Sequence, residues 1–344
     1  MRSSVRQFAW RAERRLAFAA SEALGWQTAA QLGGWRRRLL AAARRRDADL
    51  FIAHSALTIW VAARLSREGR RVGVDMEDWF SREHAASYPS ALVARAEREV
   101  LLAAAHATCP SHAMSDAIAA ATGCRQPTVI YNAFRWTDRE RLDGILRDRK
   151  DGARVSIHWY SQTLGQGRGL EELFASLPMV KENIEIHLRG TPAAGAEDWI
   201  RSVTPPAWRD RIFLHRLVSN AELLSRIAEH DIGFAGERRE PPSRDLSVTN
   251  KVLQYLLAGL ATVASDTQGQ SEVARSAPGA LFLYRAGDPA ALAARINELA
   301  ASAGLREAGK KAALEAARDR FCWERCEAAL VSSVERALRR RQPQ

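Results

Sequence analysis

The feature that most constrains the fold is a repeated alternation between short apolar runs and segments long enough to form helices. Buried strands that alternate with helices form parallel sheets, because each crossover helix covers one face of the sheet. The pattern therefore predicts an α/β protein with ten strands. The strand candidates are residues 49–54, 70–75, 106–111, 127–132, 154–160, 183–190, 211–215, 231–236, 261–266 and 280–284.

The alternation is interrupted once, in a charged stretch at residues 134–153 that contains no strand candidate. A chain of 344 residues is also long for one hydrophobic core, so we predict two domains. Six strand candidates follow the interruption and predict a doubly wound sheet, in which ligands bind at the carboxyl ends of the strands. The predicted segments are 1–46 (basic helical, part of the N-terminal domain), 47–135 (N-terminal domain), 136–152 (connector), 153–320 (C-terminal domain) and 321–344 (C-terminal helix). Packing of that last helix on the N-terminal domain is one arrangement that we consider.

The positive charge is concentrated at the N-terminus. Residues 1–46 carry eleven arginines and two glutamates, a net charge of +9 out of +11 for the chain. Basic amphipathic helices bind anionic membrane surfaces or nucleic acid, or pack on a domain with a solvated basic face. We favour the membrane over nucleic acid and leave the packed arrangement open. Two predicted helices carry apolar stripes: Val5, Phe8, Ala12, Leu16 and Ala19 in the first, and Leu32, Trp35, Leu39 and Ala43 in the second.

No apolar run approaches the roughly 18 residues that span a bilayer, and the arginine-rich start lacks the apolar centre of a secretory signal. We therefore expect a cytoplasmic protein, peripheral at the inner membrane face. Its four cysteines lack the companion histidines of a tetrahedral metal site. The expectation is no metal and no cofactor.

The stretch SVTNKVLQYLLAG predicts a helix whose N-terminus binds an anion. Ser247 or Thr249 can cap it, and Gly259 can end it in a left-handed conformation. The free N–H groups and the dipole of a helix N-terminus attract a phosphate, and Lys251 beside Asn250 adds positive charge.

A second anion site is predicted in SQTLGQGRGLEEL, immediately before another helix. Gly165, Gly167 and Gly169 surround Arg168. Glycines allow backbone N–H groups to approach an anion closely, and an arginine can bind two phosphate oxygens at once. An ordinary tight turn also needs glycines, so the two sites together carry the argument.

Polar residues at strand ends in the N-terminal half are candidates for contacts with a second substrate. His54 follows the first strand, and Glu77 and Asp78 follow the second. Carboxylates crowded together are costly unless they bind a cation, a hydroxyl-rich substrate or a proton. We expect Asp75 to be structural, and we expect structural polar contacts from three further histidines, His158, His215 and His230.

The order GRGLEEL, LHRLVSNAELLSRIAEHDIGF, NKVLQYLLAGLATVASDTQGQSEV and GDPAALAARINEL resembles the donor half of retaining glycosyltransferases of the family 4 type. That resemblance covers about residues 150–300 and implies GT-B architecture, with two facing Rossmann-like doubly wound domains and a cleft between them. It implies a nucleotide-diphosphate sugar as co-substrate, bound by residues 153–320, with the acceptor side in residues 47–135. Basic side chains would hold the diphosphate without a required metal.

Carried over by position, Arg168 resembles the residue that grips the diphosphate, and Lys251 the lysine at the helix entrance. Many relatives have two glutamates eight positions apart, and here these positions hold Leu246 and Gln254. Gln254 can still bond a ribose hydroxyl, whereas the sugar contact is unassigned. Possible substitutes are Glu237, Glu240 and Asp245.

The resemblance implies sugar transfer, with retention, to an acceptor hydroxyl on a saccharide or a lipid-linked molecule, in cell-surface polysaccharide or glycolipid synthesis. Two alternatives stay open. One is a catalytically inactive GT-B partner subunit, because of the missing glutamates and the arginine-rich start. The other is a GT-B sugar-nucleotide epimerase that uses Glu77 and Asp78 as acid and base.

Overall fold

The structure, a computed structural model, describes residues 2–83, 89–149 and 154–339, with residues 2–9 described by their backbone alone. These residues form two compact units. The first contains the chain up to Ile130, the short segment Pro241–Ser243 and the chain from Ala328 onward. The second contains Tyr131–Glu240 and Arg244–Glu327.

The first unit begins with two helices and continues as a parallel sheet of four strands in the order β1-β2-β3-β4. Ser55 and Ser111 cap the helices that follow β1 and β3, each accepting a hydrogen bond from a first-turn N–H group. Near the C-terminus, Ser333 bonds the buried His106 of β3, with 3.0 Å between Oγ and Nδ1. The elements are α1 (Arg2–Leu24), α2 (Trp35–Arg44), β1 (Phe51–Ala53), α3 (Ala56–Arg67), β2 (Val72–Asp75), α4 (Ser90–Ala103), β3 (His106–Cys109), α5 (His112–Thr122) and β4 (Thr128–Val129).

The second unit is a parallel sheet of six strands in the order β10-β9-β8-β5-β6-β7. Its strand order reverses between β5 and β8, as in a dinucleotide-binding fold. The elements are β5 (Val155–Leu164), α6 (Leu170–Ser176), β6 (Ile184–Pro192), α7 (Ala196–Val203), β7 (Ile212–His215), α8 (Asn220–Ala228), β8 (Ile232–Ala235), α9 (Pro242–Leu246), α10 (Asn250–Ala258), β9 (Ala261–Ser265), α11 (Gln268–Ser276), β10 (Leu281–Tyr284), α12 (Pro289–Ala301), α13 (Ala303–Asp319) and α14 (Trp323–Arg339). Helices α9 and α14 each continue into the first unit.

All ten predicted strands are present, and the predicted six-stranded sheet is confirmed. The core of the second unit lies on both sides of this sheet. Trp159 and Phe234 are buried on one side, and Tyr255 and Phe321 on the other. Gly259 ends α10 in the predicted left-handed conformation, with φ of 80°.

In the predicted apolar stripe of α1, Leu16 and Ala19 are exposed and Ala12 is half-buried, and the side chains of Val5 and Phe8 lie outside the described part of the chain. Leu16 is 72% exposed, whereas Ala17 is buried. The orientation follows from Trp10, whose ring packs on Trp35 with 5.7 Å between ring centroids. A Cβ atom at Gly34 would lie 2.3 Å from that ring, so the indole rests directly on bare backbone. Within the part of the chain that is described, no helix has both the length and the hydropathy needed to cross a bilayer.

Candidate functional site

The reversal of strand order in the second unit positions the candidate donor site. Ligands of such sheets bind outside the carboxyl ends of the two strands that flank the reversal. The glycine loop follows β5, and Gly236 and Glu237 follow β8. The two chain segments touch, because a Cβ atom at Gly169 would lie 2.2 Å from the carbonyl oxygen of Gly236. Gly169 also has φ of 81°, which favours glycine.

The glycine loop is held by hydrogen bonds and an ion pair, while the side chain of Arg168 within it is exposed. The Gly167 N–H donates to the Glu171 carboxylate, and the Gly167 carbonyl accepts from Arg244 at 3.0 Å. Arg238 holds the same Glu171 oxygen at 3.1 Å. The loop therefore already places one N–H group against an anionic oxygen. Arg168 has no ion-pair partner among the described residues, so its guanidinium is available to an anion.

The start of α10 contains polar atoms that the protein itself does not satisfy. Thr249 occupies the N-cap position, but its side chain makes no capping bond. Thr249 Oγ1 and Gln254 Oε1 are both buried without a hydrogen-bond partner in the described part of the chain. Buried polar atoms are nearly always paired, so both oxygens have the capacity to accept a hydrogen bond from a ligand. The prediction that Ser247 or Thr249 caps α10 is confirmed in that Thr249 is the N-cap residue, but the predicted capping bond from its side chain is not made.

Lys251 does not extend freely from the helix start. Its Nζ lies 2.9 Å from Glu237 Oε1 and 5.7 Å from the centroid of the Trp159 ring. Both charged side chains are largely buried, with 15% and 12% of their surface exposed. The pair lies at the carboxyl end of β8 and links that strand to α10.

Other polar residues predicted near this site have different partners. Asn250 Oδ1 accepts from the side chain of Asn132 at 3.0 Å, and Asn132 belongs to the second unit although its position suggested the N-terminal domain. Asp245 accepts from the side chain of Gln268 at 2.7 Å. Glu240 is exposed. Among the three proposed substitutes for the missing sugar contact, Glu237 alone follows a strand at the reversal.

In the first unit, three side chains converge at the carboxyl ends of β1 and β2. His54 Nδ1 lies 3.2 Å from Asp75 Oδ2 and 3.6 Å from Glu77 Oε1. The other oxygen of Asp75 accepts from the Thr108 hydroxyl at 2.8 Å. The result is a histidine oriented by a carboxylate that is itself held in place. The ligand atoms of His54, Asp75 and Glu77 all lie within 4.8 Å of one another, a spacing that a metal ion could bridge.

Asp78 is half-buried and lies between Glu77 and the buried Trp79. The chain beyond it is fixed by Glu97 of α4, which accepts from the backbone N–H and the hydroxyl of Ser81. Burial raises the pKa of Glu97 to about 7, against the opposing effect of the Ser81 bonds.

The sequence analysis did not predict two contacts of the His54 group, those made by Asp75 and Thr108. Asp75 was assigned to structure alone, yet it is the nearest carboxylate to His54. Thr108 lies on the neighbouring strand, 33 residues further along the chain. The signal that could have indicated this contact is strand order, because sequential parallel strands align their carboxyl ends.

Solved structures show that the chain has the GT-B fold. HepE from Anabaena, in complex with UDP and glucose, matches with a TM-score of 0.69 and 17% sequence identity, covering 89% of this chain and 82% of that chain. Sucrose-phosphate synthase from Thermosynechococcus elongatus matches with a TM-score of 0.68 and 15% identity, covering 88% and 76%. A UDP-forming trehalose-phosphate synthase from Burkholderia xenovorans matches at 0.66 and 13%, covering 87% and 78%.

A family comparison is more specific about the second unit. Residues 159–302 match the family model described as Glycosyl transferases group 1. This stretch includes the glycine loop, the Glu237–Lys251 pair and the start of α10. The resemblance to family 4-type GT-B glycosyltransferases is thereby confirmed. No curated protein sequence matches the chain.

Proposed function

We propose that the protein is a retaining glycosyltransferase that moves a hexose-type sugar from a nucleotide-diphosphate sugar to an acceptor hydroxyl. The observation that carries this proposal is the unsatisfied start of α10, which lies within the group 1 domain and beside the strand reversal. HepE, whose fold is similar, has been solved with UDP-glucose bound. The donor would occupy the second unit, and the first unit would supply the acceptor-side contacts.

Each donor-side residue has a role that its surroundings support. Arg168 binds the diphosphate, and the uncapped N–H groups of α10 add the positive end of a helix dipole. Gln254 accepts from a ribose hydroxyl through its unpartnered oxygen. Glu237 accepts from a sugar hydroxyl, and Lys251 holds that carboxylate in place. Electrostatic stabilisation of the leaving diphosphate is then the main catalytic effect, with the departing phosphate accepting the acceptor's proton.

On the acceptor side, His54 is the residue that we place closest to the reacting hydroxyl. Asp75 and Thr108 fix the orientation of its ring, as the partners of a catalytic histidine do. Glu77 and Asp78 would contact hydroxyl groups of the acceptor. The acceptor class that we propose is a saccharide or lipid-linked molecule used in cell-surface polysaccharide or glycolipid synthesis, consistent with the basic N-terminal segment.

We expect Arg168→Ala to weaken binding of a nucleoside diphosphate by about 10-fold to 100-fold, because a charge-assisted bond to phosphate is lost. Lys251→Ala should weaken it as well and also lower stability, since Glu237 is left buried without its partner. Isothermal titration calorimetry with UDP, GDP and ADP measures the affinities, and thermal unfolding separates the two effects. Arg201→Ala, at an exposed arginine of α7, is the matched control. If Arg168→Ala bound the preferred nucleotide as tightly as the parent does, the diphosphate would have to lie elsewhere.

We expect His54→Gln and Glu77→Gln to reduce kcat for transfer by at least about 100-fold and 10-fold respectively, with nucleotide affinity unchanged. The reason is that these groups act on the acceptor in the transition state, a loss that shows in turnover rather than in donor binding. Transfer to a panel of saccharides, measured beside calorimetry with the nucleotide, tests this. Equal losses in transfer and in nucleotide affinity would contradict the acceptor-side assignment.

Product analysis separates the proposal from its alternatives. A transferase leaks sugar slowly to water when no acceptor is present, an epimerase yields a rearranged sugar nucleotide, and an inactive partner subunit gives neither. NMR of the anomeric proton of the product reports retention. We also propose that transfer needs no metal, and a rate that is unchanged by EDTA supports this. If EDTA lowered the rate of the parent but did not lower the rate of His54→Gln further, a cation bound by His54, Asp75 and Glu77 would instead be assigned.

A further inference from the structure

The four most exposed large apolar side chains of the described residues lie within one short stretch of the N-terminal segment. They are Leu16, Trp26, Leu24 and Trp35, with exposed fractions of 72%, 67%, 60% and 57%. Leu39, one turn after Trp35 on α2, is also exposed. Single exposed apolar residues are ordinary, whereas here five exposed leucines and tryptophans lie within residues 16–39. We call these five side chains the apolar ridge.

The charge around the apolar ridge is strongly positive and mostly unneutralised. Glu13 neutralises the buried Arg36, and Glu68 neutralises Arg44. Other arginines of the segment are exposed and have no acidic partner among the residues that the structure describes: Arg11, Arg14, Arg15, Arg38, Arg45 and Arg46. Two guanidinium groups lie over aromatic rings, Arg14 over Phe18 and Arg38 over both Trp10 and Trp35. Arginine above a ring keeps its charge while covering apolar surface.

The segment is held on the first unit by contacts that do not involve the apolar ridge. Gln27 accepts from the Leu92 backbone at 2.9 Å, at the start of α4. Arg44 makes paired hydrogen bonds with Glu68, and Arg70 donates to the carbonyl of Arg46 at 2.8 Å. These contacts hold residues 27–46 on the first unit. Helix α1 is held on α2 by the Glu13–Arg36 ion pair and by Trp10, which packs on Gly34. The exposure of the ridge therefore belongs to a placed surface, and not to an unattached tail.

We propose that the apolar ridge and its arginines form a docking surface for an anionic lipid bilayer. Tryptophan and leucine would enter the interfacial layer while the arginines bind lipid phosphates, the arrangement of interfacial helices. A second copy of this chain is a poor occupant, since a self-complementary contact would bring two segments of net charge +9 together. Nucleic acid would pair with the arginines but would leave exposed leucines without a partner. The proposal deepens the function proposed above, because it brings the enzyme to lipid-linked acceptors.

The experiment is co-flotation of the full chain with vesicles of phosphatidylglycerol and phosphatidylcholine, compared with pure phosphatidylcholine. We expect binding to the anionic vesicles, reduced at least about 10-fold by Leu16→Ser with Trp26→Ser, since apolar burial is lost. Substituting glutamine for Arg11, Arg14, Arg15, Arg45 and Arg46 should abolish it, because each basic residue near the surface contributes. Leu146→Ser, at an exposed leucine of the second unit, is the matched control and should bind as the parent does.

Three results would overturn the proposal. The first is no flotation with anionic vesicles at low salt. The second is unchanged flotation of the Leu16 and Trp26 double variant, which would indicate a general polyanion surface that also takes nucleic acid. The third is dimerisation in analytical ultracentrifugation that the same double variant abolishes, which would assign the ridge to a second copy. Circular dichroism of every variant reports whether it is folded, and nucleoside diphosphate affinity tests the transferase function separately.

Discussion

Gly169→Ala is expected to eliminate nucleoside diphosphate binding and to lower the free energy of unfolding of the second unit by roughly 3 kcal/mol or more. A Cβ atom there would lie 2.2 Å from the Gly236 carbonyl oxygen, which is backbone and cannot rotate away. The positive φ of 81° adds strain for any side chain. Because the loop and β8 would have to separate, the diphosphate site would lose its shape.

Gly167→Ala is the matched control, two residues earlier in the same loop. Its φ is 77°, yet a Cβ atom would meet nothing within 4 Å, so we expect only the left-handed cost of about 1–2 kcal/mol. Urea unfolding and calorimetry with the nucleotide give both quantities for the two variants. If Gly169→Ala were no less stable than Gly167→Ala, the close approach of loop and strand could not be what shapes the site.

The strands and the position of the glycine loop could be predicted from the sequence because they depend on local patterns. Short apolar runs between helices give parallel strands, and Gly259 ends α10 because that position needs a positive φ. Gly169 was selected as part of a glycine cluster, but its contact with Gly236 was not predicted. That contact joins residues from two strands at the reversal, and a local pattern carries no information about it.

The partners of individual side chains could not be predicted from the sequence. Lys251 was predicted to bind a phosphate, and its ion pair with Glu237 was not predicted. The stripe containing Leu16 was identified correctly as apolar, but periodicity cannot tell whether such a face meets protein or solvent. The packing of Trp10 on the backbone of Gly34 determines which face of α1 meets the protein. The buried histidines, expected to be isolated structural contacts, form one cluster.

We expect the second unit to lose stability steeply between pH 7 and pH 5 because of that cluster. His158, His187, His215 and His230 lie together beneath the sheet face. His187 Nδ1 is 2.9 Å from His215 Nε2, and His230 lies 4.7 Å from His158 and 4.6 Å from His187 between ring centroids. His158 is fully buried, and neither of its ring nitrogens has a partner among the described residues.

Burial is the main cause that lowers the pKa of all four rings. The other rings lower the pKa of His158 and His187 further, and a neighbouring arginine lowers the pKa of each ring. The pKa of His187 falls to about 2. Asp148 and Glu185 face the cluster and favour the charged rings, whereas Arg149 and Arg189 oppose them. Asp148, whose own pKa is lowered, would lose its contribution only at more acid pH.

The direction of the pH effect on stability follows from proton uptake during unfolding. A histidine held neutral in the folded state takes up a proton on unfolding once the pH is below its unfolded pKa of about 6.5. Stability is therefore complete above that pH and decreases below it. For His187 alone, the loss between pH 7 and pH 5 is about 2 kcal/mol. This is a large share of the 5–15 kcal/mol or so that is typical of a domain.

His158→Phe removes one titrating ring while keeping an aromatic side chain between His230 and the edge of Tyr255. Urea unfolding at pH 7.5, 6.5 and 5.5 should show a smaller loss for this variant than for the parent, because one fewer buried proton acceptor drives unfolding. His112→Gln, at an exposed histidine of the first unit, should leave the slope unchanged. A parent whose second unit is equally stable at pH 7.5 and 5.5 would show that the cluster accepts protons while folded. In that case Asp148, the nearest carboxylate to His215, would be the group that stabilises the charged rings, and Asp148→Asn would restore the acid sensitivity.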